Sequence, residues 1–110
     1  ATSALVSELE DIAVWSHLGL YFADKLRAGV ALKTFYKTGN PVKKQEAVIL
    51  LKKCLSHWDE VIRFTKDRYM PTPHVMTQNY GPEFHVFSWE LMRPQVENDI
   101  TIATNAIFKP

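Results

Sequence analysis

Four consecutive residues, Thr38-Gly39-Asn40-Pro41, constrain this chain more than any others, because they stop one long amphipathic helix and start another. Gly39 can take the left-handed conformation that ends a helix. Asn40 can cap the free N–H groups of the next, and Pro41 fits a first turn, where no N–H is needed. A link this short forces the two helices to pack antiparallel as a hairpin.

The first helix is expected over about Ser7 to Lys37, with Ser7 and Glu10 at capping-box spacing. Its apolar residues form two stripes. One holds Leu9, Ile12, Ala13, Ser16, Gly19, Phe22, Ala23, Leu26 and Val30; the other holds Trp15, Leu18, Tyr21, Leu32, Phe35 and Tyr36. Two stripes imply two neighbours, so this helix is expected at the centre of the fold. Gly19 and Gly29 each cost about 1 kcal/mol relative to Ala within a helix, which predicts close approach of another helix there. The second helix is expected from Pro41 to about Tyr69, ended by Pro71 and Pro73. Its inward face carries Ala47, Val48, Leu51, Cys54, Leu55, Trp58, Ile62 and Thr65. Leu26, Leu51, Leu55 and Trp58 are expected to be buried together.

Between Met70 and Phe87 periodicity is lost, yet Val75, Met76, Tyr80, Phe84, Val86 and Phe87 keep the segment apolar, with a short strand expected at Phe84 to Phe87. A third helix begins near Ser88, and Pro94 places its main run from Arg93 or Pro94 through Val96, Ile100, Ala103 and Ile107. The fold class is all-α, a three-helix up-down bundle whose hairpin has tetratricopeptide-like topology.

A chain of 110 residues makes one domain with one ordinary core. Its start at Ala1-Thr2-Ser3 and its end at Lys109-Pro110 read as those of a piece of a longer protein. Net charge of +1 gives no electrostatic preference for nucleic acid, and no apolar run is long enough to insert into a membrane. The lone Cys54 sits among Leu51, Leu55 and Trp58, which reads as a buried structural thiol.

No cofactor, metal or catalytic motif stands out. His57 and Asp59 point in different directions on a helix, and His74, Glu83 and His85 have no zinc-site spacing. Asp24 and Arg27, three apart, can pair at the edge of the core or dock a neighbouring domain. Tyr80, Phe84, Phe87 and Trp89 could anchor a partner through their rings. Trp15, Trp58 and Trp89 are expected to fill the core, one from each helix.

The run Trp15, Leu18, Gly19, Tyr21, Phe22, Ala23, Lys25, Arg27, Leu32, Phe35, Thr38 and Gly39, followed by Ala47-Val48, Leu51, Leu55 and His57-Trp58, resembles a known pattern. It is similar to the helical modules found near the C-terminus of large bacterial carbohydrate-active proteins. The resemblance implies an accessory domain without an active site of its own, in a periplasmic or secreted protein. Its expected partners are the parent's other domains, with self-association possible. The alternative is a free-standing helical module that binds a protein or peptide.

Overall fold

The structure, a computed structural model, describes residues 3–65 and 89–110. They form three helices, α1 (Ser3–Thr38), α2 (Pro41–Thr65) and α3 (Trp89–Thr104), in the up-down-up arrangement of an all-α bundle. The expected strand at Phe84 to Phe87 and the end of the second helix near Tyr69 lie outside the described residues.

The turn is built as its residues predict. Gly39 has φ +73°, and its N–H donates to the Phe35 carbonyl at 2.7 Å, closing the last turn of α1. Asn40 Oδ1 accepts from the Val42 N–H at 3.0 Å and caps α2. A second constraint on Gly39 comes from the far end of the chain. The Phe108 ring covers it so closely that a Cβ there would lie 2.6 Å from ring carbon. Beside it, Lys44 Nζ donates to the Ala106 carbonyl at 2.9 Å, so the segment after α3 closes over the hairpin turn.

In α2 the buried residues are Ala47, Leu51, Cys54, Trp58, Val61 and Thr65. The alternating spacing of four and three is that of a coiled-coil seam. On α1 the residues that meet this seam are Val14, Leu18, Tyr21, Asp24, Ala28, Ala31 and Phe35. Tyr21 packs 5.0 Å from Trp58, centroid to centroid, and Trp58 packs edge-on against Trp89 at 5.3 Å. The Trp58 indole N–H donates to the Trp89 carbonyl at 2.8 Å, which satisfies the buried donor and fixes the start of α3.

Three expectations need correction. The helix at the centre is α2, which packs against both α1 and α3. Only one of the two stripes on α1 therefore has a neighbour among the described residues. Trp15 and Leu26, expected in the core, are instead exposed. Among the described residues the close approach expected at Gly19 and Gly29 is absent too, since a Cβ at either would meet none of them within 4 Å.

Helix limits also shift. α1 is already under way at Ser3, upstream of Ser7, because Ala4, Leu5 and Val6 contain no breaker. α3 begins at Trp89, in agreement with the expected start near Ser88, but runs unbroken through Pro94 instead of starting its main run there. The proline forfeits one hydrogen bond near the helix start, and two anchors to α2 hold the first turns around it. One is the Trp58–Trp89 contact; the other is Arg93, whose Nε and second terminal nitrogen reach the two oxygens of Asp59 at 2.6 and 3.2 Å.

Candidate functional site

Two features stand apart from ordinary core packing. One is a polar cluster within the hairpin, and the other is the uncovered face of α1.

Across the hairpin the side chains of His17 on α1 and His57 on α2 reach each other, and their Nδ1 atoms lie 3.2 Å apart. One of the two must carry the proton between them. On the other side of the same ring, His57 Nε2 lies 3.5 Å from Asp24 Oδ2. A neutral His57 suits both neighbours when its proton is on Nε2, facing the carboxylate, while Nδ1 accepts from His17. Asp24 occupies a core layer of α1, which is costly for a charge without partners. Arg27, on the next turn, lies 3.3 Å from Asp24 Oδ1 and itself stays in solvent. The expected Asp24–Arg27 pair is thus present, with His57 as an added member.

Cys54 lies beside this cluster. Its Sγ donates to the Tyr21 carbonyl at 3.4 Å, and it is almost fully buried, as its apolar setting predicts. Burial raises its pKa from the usual 9.0 to about 11, with the Asp24 carboxylate adding to the effect. A nucleophilic cysteine needs the opposite, a stabilised and accessible thiolate. The cluster therefore orders the hairpin: His57 joins His17 to Asp24, Arg27 pairs with Asp24 from the rim, and Cys54 bonds the backbone. Among the described residues no three of His, Cys, Asp and Glu are placed to hold a metal ion.

A further polar link ties α1 to α3. Lys25 Nζ lies 3.3 Å from the Tyr21 hydroxyl and 3.6 Å from Asp99 Oδ2. Burial pulls its pKa down, but these two partners outweigh that and leave it raised. The space they border with Trp58, Met92 and Val96 is about 150 Å³, below the usual size of a small-molecule site.

The face of α1 turned away from α2 has a different character. Ile12, Trp15, Phe22, Leu26 and Val30 are each between 58% and 73% exposed. They recur at helical spacing along one side, with Gly19 in their midst. Together they expose roughly 600 Å² of mostly apolar surface, at the upper end of the largest patches on monomeric proteins, which are often functional. All but Trp15 belong to the stripe that periodicity alone assigns to a core. The available signal was the two stripes together, which cover more of the helix than a single neighbour can bury.

Of the residues expected to form a docking surface, Asp24 faces into the hairpin, Arg27 lies at its edge, and Trp89 is half-buried against Trp58. Tyr80, Phe84 and Phe87 lie outside the described residues. No described helix is long and apolar enough to cross a membrane.

Comparison with known proteins finds no matching family, curated protein or solved structure.

Proposed function

We propose that this chain is a non-catalytic helical interaction module, and that the outer face of α1 is the surface with which it holds its partner. The observation that carries this reading is the continuous apolar stripe from Ile12 to Val30 on the side of α1 opposite its packed face. A helix that serves only to close a bundle needs one apolar face, with charged and polar residues opposite. The inward-turned thiol and the mutually satisfied histidine pair support a structural role for the polar cluster. The same reading holds for an accessory domain of a larger protein and for a free-standing module, since in both the work is binding.

Hydroxyl-radical footprinting of the dilute chain tests this. Trp15 and Leu26 should oxidise rapidly and Trp58 slowly. Protection of Trp15 equal to that of Trp58 in a monomer would mean that the chain covers this face itself, and the reading would fall.

A further inference from the structure

The outer stripe of α1 is complementary to itself. Glu8, Ile12, Trp15, Gly19, Phe22 and Leu26 follow one another at spacings of four, three, four, three and four, the period of a helix–helix seam. Gly19 is at its middle, with open space where a Cβ would stand. We propose that the occupant of this face is a second copy of the chain, its α1 packed antiparallel about a two-fold axis at Gly19, an inference that rests on this face being the working surface.

Three observations choose a second copy over an unrelated partner. The first is steric. In an antiparallel pair centred on residue 19, Trp15 falls opposite Ala23 of the other copy, Phe22 opposite Ser16, and Ile12 opposite Leu26. Each large ring therefore meets a small residue, and every such pair occurs twice, as an isologous interface requires. Gly19 meets itself on the axis, where a side chain would hold the helices apart. That gives the glycine the reason that packing within the described residues lacks.

The second is charge. The amino-terminal part of the helix carries Glu8, Glu10 and Asp11 with no lysine or arginine, whereas Lys33 and Lys37 lie at the other end. Antiparallel pairing brings Glu8 of one copy within a turn of Lys33 of the other. Parallel pairing would set like charges side by side. Complementing the helix's own dipole does not account for this pattern, because Glu8 and Lys33 both stand more than one turn from the helix ends.

The third is area. The stripe offers roughly 600 Å² per copy before its charged rim is counted, against roughly 800 Å² per partner in a standard interface.

The test combines sedimentation with directed cross-linking. From about 1 to 100 µM the chain should pass from monomer to dimer, and Leu26→Glu should weaken association about tenfold or more while leaving the helical circular dichroism unchanged. Lys33→Cys should form a disulfide with Glu8→Cys when the two variants are mixed. Glu8→Cys alone should not cross-link, because its two copies lie about 33 Å apart along the axis. The buried Cys54 gives little background. Efficient Glu8→Cys self-cross-linking would overturn the antiparallel register. A monomer at every concentration with Trp15 readily oxidised would overturn the second copy and leave the interaction face standing. A monomer with Trp15 protected would overturn both.

Discussion

The two faces of α1 are built from similar residues and have opposite fates. The inner face places Val14, Leu18, Tyr21, Ala28 and Phe35 against the seam of α2; the outer face places Ile12, Trp15, Phe22, Leu26 and Val30 in solvent. Hydrophobicity does not separate them, since the outer face carries a tryptophan and the inner face carries an aspartate. What separates them is the turn. Gly39, Asn40 and Pro41 set the direction in which α2 leaves α1, and so decide which side of α1 it covers. An apolar stripe is a demand for a neighbour, and the chain's connectivity meets one demand of the two.

The largest effect should come from the inner contact. Trp58→Ala should destabilise the protein by about 3–5 kcal/mol in urea unfolding, because it removes a buried ring and a satisfied indole donor. A loss under about 1 kcal/mol would erase the contrast between the faces.

The turn that decides between the faces should be next. Gly39→Ala places a Cβ in the left-handed region and against the Phe108 ring, with an expected cost of about 2 kcal/mol. Asn40→Ala should cost about 1 kcal/mol through loss of the cap. Equal stability of wild type and Gly39→Ala would show that the turn does not hold the hairpin in register.

Alkaline titration sharpens the picture of the inner face. The unfolded thiol of Cys54 ionises near the usual 9.0, whereas the folded one keeps its proton up to about 11. The folded state thus binds the proton more tightly. Its contribution is fully present below pH 9 and is lost as pH rises towards 11, by on the order of 1–2 kcal/mol. Cys54→Ala should lose less stability than wild type between pH 8 and pH 10.5. Parallel curves for the two proteins would show a thiol that is solvated in the fold.

The smallest effect belongs to the outer face. Leu26→Ala, measured at a concentration where the chain is monomeric, should change stability by no more than about 0.5 kcal/mol. A cost near that of Trp58→Ala would mean that the outer face is core after all, and the comparison would collapse.

Much of the fold was legible. The positive φ of Gly39, the Asn40 cap, the antiparallel hairpin and the seam residues Ala47, Leu51, Cys54, Trp58 and Thr65 follow from residue types and spacing, because turn chemistry and helical period are local. Val61 was missed, and Val48, Leu55 and Ile62 are only half-buried. Cys54 could be read as buried for the same reason. The polar cluster was legible only in part. Asp24 and Arg27 are three apart on one helix, so their pairing is visible in sequence. His17 and His57 are forty positions apart, and meet because the turn sets the register between helices. The start of α3 near Ser88 could be read from sequence, but its unbroken passage through Pro94 could not, because the anchors that hold it there, Trp58 and Asp59, lie on another helix.

By itself, the sequence determined three helices, one tight capped turn, and a first helix apolar on two sides, since each of these depends on interactions within a few residues. Only the tertiary structure decided that α2 is the central helix, that Asp24 and the two histidines share one cluster, and which stripe of α1 remains open. These outcomes depend on how whole helices rotate and slide against one another. Periodicity states that a face wants burial; the packing of one helix on another decides which face receives it.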